Sequence, residues 1–231
     1  MPLVFSPLTE AVLDSTPKSL RARHAFIMRQ MGGPPAIDLR MLELVREVFE
    51  ARRFPVVDAG ISTGGKDYLE RILGLIRSTG FTFAIYSDKT RLTAVANIML
   101  ELGFAAMCGK PIIIVKSEKA KAPSDLSRTD WIVYSPDQEA DFTRKLQQAL
   151  DNIEELVHHE HTLVGVALEA RSMDCAIAFE RVNKGYLLSG ERRFVKAARA
   201  ILKRLDSAEE KSTVGDLDRL RSEIRAFLKQ T

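Results

Sequence analysis

Cysteine is scarce in this chain of 231 residues, where only Cys108 and Cys175 occur. Two cysteines in unrelated contexts form neither a disulfide framework nor a CxxC metal or redox motif, which argues against a small disulfide-stabilised fold and a zinc ribbon. The amino terminus also lacks a basic region followed by a long apolar stretch, so it does not resemble a secretory signal peptide. We therefore expect a cytoplasmic protein.

Long apolar runs and an excess of one charge are absent as well. No segment reaches the roughly eighteen apolar residues of a membrane span, which predicts that no membrane is a partner. The 34 Lys and Arg residues nearly balance the 31 Asp and Glu residues, so nucleic acid is an unlikely partner on net charge. His158, His159 and His161 crowd near a predicted helix end without a second ligand cluster, and we predict no metal site and no cofactor.

Five short apolar runs dominate the first two thirds of the sequence. They alternate with helical patterns predicted over 38–53, 67–78 and 91–108, with Asp38 as the N-cap of the first. Hydrophobicity is continuous in FTFAIY and PIIIV, as in parallel strands covered on both faces. The pattern predicts a doubly wound α/β fold with a five-stranded parallel sheet in flavodoxin-like order 2-1-3-4-5. The predicted strands are 24–28, 54–59, 81–86, 111–115 and 131–134.

Helical patterns alone follow Asp137. We divide the chain into an N-terminal extension over 1–23, an α/β domain over 24–150 and a helical region over 151–231. The helical region has the features of an appendage for homo-oligomerisation or for docking a protein partner. Its helices are predicted over 138–157, 166–184, 191–205 and 216–229.

Ligands of open parallel sheets bind beyond the carboxyl ends of the strands, and polar or glycine residues follow several predicted strands there. The glycine pairs at 32–33 and 64–65 let backbone amides approach a phosphate or ribose, although as turn residues they need no ligand. Asp88 serves equally well as an N-cap, and Asp125 more simply caps a turn. The candidate ligand-binding residues are Gln30, Gly32, Gly33, Asp58, Ser87, Arg91, Asn97 and Asp125.

Glu101 is the only ionised residue between Arg91 and Lys110. A helix that is apolar nearly all round is buried, and an isolated buried carboxylate raises its pKa, finds a partner or serves a function. Asn97 lies four residues earlier on the same helical face, so we expect the pair to point toward the ligand edge. The alternative is a partly exposed Glu101 paired with Arg91, Lys110 or a neighbouring subunit.

The sequence SDKTRLTAVANIMLELGFAAMCGKPIIIV, followed by PSDL and WIVY, resembles the bacterial TIR-like proteins and the related nucleoside 2-deoxyribosyltransferase-like superfamily. The shared pattern is an Asn a turn before Glu-Leu-Gly-hydrophobic-Ala, then Gly-Lys-Pro, a hydrophobic strand and Pro-x-Asp-Leu. The resemblance covers about residues 24–150. It implies a nucleotide-binding domain that cleaves the bond between ribose and base, in a setting of bacterial antiviral defence or nucleotide signalling.

The resemblance assigns the catalytic carboxylate to Glu101, with Asp88 as a second acid that binds ribose hydroxyls or protonates the leaving base. Deoxyribosyltransferases have further acidic residues shortly before this Glu, and residues 95–100 contain none. This difference argues against deoxyribosyl transfer. Three hypotheses follow. The chain is an N-glycosidase acting on NAD or a related nucleotide, a non-catalytic nucleotide sensor that signals through the helical region, or a scaffold with a degenerate pocket.

Overall fold

The computed structural model describes residues 4–6, 11–13, 17, 19–60, 68–121, 131–169, 174–207 and 214–231. The chain forms two compact units. We call Arg23–Ile153 the α/β unit, and the segments Met1–Ala22 and Glu154–Thr231 together the helical unit.

A five-stranded parallel sheet forms the centre of the α/β unit. Its strands are β3 (Arg21–Met28), β4 (Val56–Val57), β5 (Thr79–Tyr86), β6 (Ile112–Ser117) and β7 (Trp131–Tyr134), in the order β4-β3-β5-β6-β7. This arrangement is the predicted order 2-1-3-4-5, so the fold class is confirmed. The strand predicted over 54–59 has only two paired residues. Two short strands that we did not predict, β1 (Val4–Ser6) and β2 (Ala11–Leu13), form a separate antiparallel pair.

Three helices cover the sheet: α1 (Ala36–Ala51), α2 (Tyr68–Ser78) and α3 (Leu92–Met107). The central strand β5 is buried along its whole length, as its continuous hydrophobicity predicted. Alternate side chains of a strand point to opposite faces, so β5 contributes to two apolar layers.

Phe83 of β5 lies in one of these layers, with its ring centroid 5.0 Å from that of Phe49 in α1. Tyr86 lies in the other, in a core cluster with Ile98 and Leu102 of α3. The Tyr86 ring also meets Trp131 of β7 edge to face, at 6.3 Å between centroids. The packing of Ile98 and Leu102 in this cluster holds α3 against the sheet.

The N-cap prediction for Asp38 is wrong. Helix α1 begins two residues earlier at Ala36, after Pro35, whose side chain makes no capping hydrogen bond. Asp38 therefore lies within the first turn, where it is buried and contacts another part of the chain.

The remaining helices are α4 (Glu139–Glu169), α5 (Cys175–Ser189), α6 (Arg192–Ser207) and α7 (Val214–Gln230). Two predicted helices differ from this result, because α4 continues twelve residues beyond the predicted end at 157 and α5 begins at 175 rather than 166. The carboxylate of Asp174 accepts hydrogen bonds from the backbone amides of Ala176 and Ile177, which caps α5 at its start.

The histidine cluster lies within α4, not at a helix end as predicted. Glu160, in the middle of the cluster, is only 1% exposed and binds the Arg181 guanidinium at 3.1 Å and the Lys184 ammonium at 3.0 Å. These ion pairs connect α4 to α5. In the described ranges, no group of three or more His, Cys, Asp or Glu side chains has the arrangement of a metal site. No described helix is both long and apolar enough to cross a membrane.

Candidate functional site

A cavity of about 360 Å³ lies at the carboxyl edge of the sheet. Helix α1 starts at this cavity, so its first backbone amides and the positive end of its dipole lie beside it. The loop after β5 and the ends of β6 and β7 complete the wall. The lining residues are Pro35, Ala36, Ile37, Asp88, Lys89, Ser117, Glu118, Lys119, Tyr134 and Pro136.

Gln30 ties the loop after β3 to the start of α3. Its side-chain amide donates to the carbonyl oxygens of Gly32 and Gly33, at 3.0 and 2.6 Å, while its Oε1 accepts from the Arg91 backbone amide at 2.9 Å. The Arg91 guanidinium donates to the Gly32 carbonyl as well. Gln30 is only 2% exposed. These four predicted residues are therefore brought together, and their observed contacts hold the loop in one conformation.

A second buried network connects α1 to the loop after β5. Thr90 Oγ1 donates to Asp38 Oδ2 at 2.7 Å and accepts from the Ser87 backbone amide at 2.7 Å. Burial raises the pKa of Asp38, although hydrogen bonds with Ser87 and Thr90 oppose this rise and the charge of Asp88 adds to it. Asp38 Oδ1 has no hydrogen-bond partner among the described residues. The predicted site residue Ser87 thus contributes to the packing of this loop.

Asp88 lines the cavity and does not cap α3, which begins after Arg91 without a side-chain cap. Its Oδ1 accepts from Ser117 Oγ at 3.1 Å, and Ser117 Oγ in turn accepts from the Asp88 amide at 3.2 Å. Desolvation acts to raise the pKa of Asp88, but the Ser117 hydrogen bond and the nearby Lys89 hold it below its ordinary value. An ionised Asp88 is suited to accept hydrogen bonds from hydroxyl groups and is a poor proton donor at neutral pH.

Asp58 follows β4 and pairs with Arg29, which follows β3. The Arg29 guanidinium lies 2.9 Å from Asp58 Oδ2, and Asp58 Oδ1 accepts from the Gly60 amide at 3.0 Å. Both side chains are mostly buried. Asp58 therefore has a structural role in fixing the loop after β4, and it is not among the residues that line the cavity.

Glu101 lies nine residues into α3, about 14 Å along the helix axis from Leu92. Its neighbours one turn away include the buried Ile98 and Ala105 and the partly buried Phe104. The half-buried carboxylate has no hydrogen bond or ion pair with any described residue, and burial raises its pKa from 4.5 to about 7. The alternative pairing with Arg91 or Lys110 is not observed; Lys110 instead donates to the carbonyl oxygens of Arg77 and Thr79.

Asp88 lines the edge cavity, whereas Glu101 is not among its lining residues. Asn97, on the turn before Glu101, is exposed to solvent and is also absent from that lining. Asp125 and the glycine pair at 64–65 lie outside the described residues.

Sequence reasoning missed several residues of this edge. Ser117 and Tyr134 line the cavity, and Thr90 forms hydrogen bonds that hold the loop beside it. Each of the three lies in an ordinary loop or strand pattern in the sequence. Tyr134 is held by a hydrogen bond from its hydroxyl to Glu139 at 2.9 Å. Ser117 could have been found as a polar residue at the carboxyl end of a buried strand. We predicted that this strand ends at residue 115, whereas β6 continues to Ser117.

No protein-family model matches this chain, and no curated protein matches it. The resemblance to TIR-like and deoxyribosyltransferase-like domains therefore depends on the sequence motifs themselves.

Proposed function

We propose that this chain is a nucleotide-binding N-glycosidase that uses Glu101 to cleave the bond between base and ribose in NAD or a related nucleotide. The observation that supports it is the Glu101 carboxylate, which is half-buried, lacks a described partner and has a pKa raised to about 7. Perturbed carboxylates of this kind are concentrated at functional sites.

An unpaired carboxylate in apolar surroundings interacts strongly with a positive charge that comes near it. Cleavage of a base from ribose produces positive charge at the anomeric carbon, as in glycoside hydrolysis. Glu101 stabilises that charge directly, or its oxygen adds to the carbon and water later displaces it. In both routes the electrons of the broken carbon–nitrogen bond leave with the base, and a water oxygen ends on the sugar.

The described surroundings of Glu101 favour a substrate that already carries a positive base. The nicotinamide of NAD is cationic and leaves as a neutral molecule, so it needs no proton from an acid. A neutral nucleoside base requires protonation, and no second acidic side chain accompanies Glu101 within the described residues. Asp88, whose pKa is lowered, is better suited to bind hydroxyl groups than to donate a proton.

The edge cavity supports the binding half of the proposal. Its lining includes two cations, Lys89 and Lys119, two acids, Asp88 and Glu118, and the first residues of α1. The cations and the helix N-terminus favour phosphate groups, and the carboxylates can accept hydrogen bonds from ribose hydroxyls. Because Glu101 does not line the described cavity, cleavage and binding are tested by separate measurements, the release of nicotinamide and the shift in melting temperature.

The test is chromatography of free nicotinamide after incubation of the purified full chain with NAD. We expect release by the wild type, a decrease of at least about 100-fold in Glu101→Gln, and an unchanged rate in the control Glu47→Gln, which alters an exposed acid on α1. The rate should rise with pH through about 7 as Glu101 ionises. Full activity in Glu101→Gln would show that the assigned role is wrong.

The alternative is a nucleotide sensor without turnover. It is favoured by the edge cavity, whose hydrogen-bonded loops form without any contribution from Glu101. A sensor predicts that NAD raises the melting temperature of both wild type and Glu101→Gln by mass action while remaining intact. Release of nicotinamide by the wild type would exclude this alternative.

A further inference from the structure

Helix α6 concentrates positive charge on a single face. Six of its sixteen residues are Lys or Arg, and only Asp206 is acidic. Four of these cations recur at spacings of four, three and four residues, which places them within one narrow arc of an α-helix. We call this set the cationic stripe: Arg192, Lys196, Arg199 and Lys203.

All four side chains of the cationic stripe are exposed. Within the part of the chain that the structure describes, none of them forms a hydrogen bond or an ion pair. Other cations of the helical unit are engaged, such as Arg181 and Lys184 on Glu160 and Arg221 on Asp206. The cationic stripe therefore presents unneutralised charge along about 16 Å of helix.

The opposite face of α6 is committed to the core of the helical unit. Phe194, Ala198 and Ile201 are at most 1% exposed. Insertion of an amphipathic helix into a bilayer requires a free apolar face, and the apolar face of α6 is already buried here. The exposed face also contains no aromatic residue, so it has no platform on which the bases of a single strand stack.

We propose that the cationic stripe binds the phosphate backbone of duplex DNA. Four cations in a straight, rigid row match a rigid polyanion, whose charges are already ordered, better than a flexible acidic peptide that loses conformational entropy on binding. Lys and Arg side chains are the usual partners of phosphate oxygens, so we expect the cationic stripe to contact mainly the phosphate backbone. Sequence-specific recognition of RNA commonly stacks unpaired bases on aromatic side chains, and the exposed face of α6 has no aromatic residue.

This inference differs from the expectation drawn from net charge. The whole chain has a net charge of only +3, but a sum over the chain does not report where the charges lie. Electrostatic attraction to a polyanion depends on local charge density, because salt screens charges more than about 10 Å away. A protein with a small net charge can therefore still have a cationic surface along the length of one helix.

The test is fluorescence anisotropy of the purified full chain with a labelled duplex DNA, measured over a range of salt concentrations. Each phosphate contact contributes about 0.9 to the slope of the logarithm of the association constant against the logarithm of salt concentration. We expect Lys196→Gln/Arg199→Gln to reduce the magnitude of this slope by about 1.8 and to weaken binding at low salt.

The matched control is Arg46→Gln/Lys229→Gln, which removes two exposed cations outside the stripe and leaves the net charge equal to that of the stripe variant. Its slope should remain that of the wild type, and melting curves of both variants should match the wild type. Equal slopes for all three proteins, or no DNA binding at low salt, would overturn the proposal. Displacement of the duplex by polyglutamate at an equal concentration of charges would also overturn it, in favour of an acidic protein partner.

Discussion

Thr90 Oγ1 lies 2.7 Å from Asp38 Oδ2, although the two residues are 52 positions apart in the sequence. This hydrogen bond joins the first turn of α1 to the loop after β5, where both border the edge cavity. The hydrogen bond from Thr90 satisfies one oxygen of the buried Asp38 carboxylate. The other oxygen, Oδ1, has no hydrogen-bond partner among the described residues.

Asp38 should make stability depend on pH. Burial raises its pKa in the folded state, so the folded protein binds more protons than the unfolded chain between the unfolded and the folded pKa. Stability therefore falls as pH rises through that interval. Asp38→Asn should remove the contribution of Asp38 and make the fall shallower, as measured by urea midpoints from about pH 3 to pH 7. An unchanged pH profile in Asp38→Asn would contradict the assignment.

Glu101 should reduce stability at neutral pH. Because burial raises its pKa from 4.5 to about 7, the ionised form is disfavoured in the folded protein, and stability falls as pH rises across this range. Glu101→Gln should raise the free energy of unfolding by about 1 to 3 kcal/mol at alkaline pH, with little change at acidic pH where both side chains are neutral. Urea titrations at the two extremes measure the difference. A destabilised Glu101→Gln would indicate an unrecognised structural partner.

Gln30 should hold the loop after β3 through both ends of its amide. Gln30→Ala removes three hydrogen bonds at a buried position and should decrease stability by about 2 to 3 kcal/mol, measured by urea unfolding. Gln30→Glu is the informative comparison, because it keeps the oxygen that accepts from the Arg91 amide but loses both donors to Gly32 and Gly33. Hydrogen exchange at Arg91 should therefore accelerate in Gln30→Ala more than in Gln30→Glu.

Gly185 should tolerate no side chain. A Cβ there would overlap the ring of Phe194, which is 1% exposed and belongs to the core of the helical unit. Gly185→Ala should lower the melting temperature although alanine favours helix formation, because the packing of α5 on α6 must open. Gly165→Ala in α4 is the control, since a Cβ there meets nothing within 4 Å, and it should stabilise by about 0.5 to 1 kcal/mol. Equal effects of the two substitutions would contradict the packing argument.

The strands were the most predictable part of the fold, because burial on both faces leaves a direct signal in the sequence. The segment 131–134 was predicted with its observed ends, and β5 was predicted to within two residues. Strand β4 was overestimated because apolar residues such as Phe54 pack into the core without pairing in the sheet. The end of α4 was misplaced because Thr162 and Gly165 weaken a helical pattern that tertiary packing preserves.

The candidate site was predictable only where residues directly follow a strand. Gln30, Ser87, Asp88 and Arg91 do lie near the carboxyl edge of the sheet, as the parallel topology requires. The partnership of Asp38 with Thr90 was not predictable, because local pattern carries no information about which distant polar groups meet. The helical spacing of the cationic stripe can be seen in the sequence. The structure adds that the opposite face of α6 is buried and that the stripe is exposed.

Trp131, whose ring meets that of Tyr86, gives the α/β unit its own fluorescence signal. Trp131 is the only tryptophan of the chain, and it lies in β7, so selective excitation of tryptophan monitors this unit alone. Far-ultraviolet circular dichroism instead sums over every helix, most of which belong to the carboxyl-terminal half. Coincident unfolding curves from the two signals would indicate one cooperative transition, and separated curves would give each unit its own stability without any labelling of the protein.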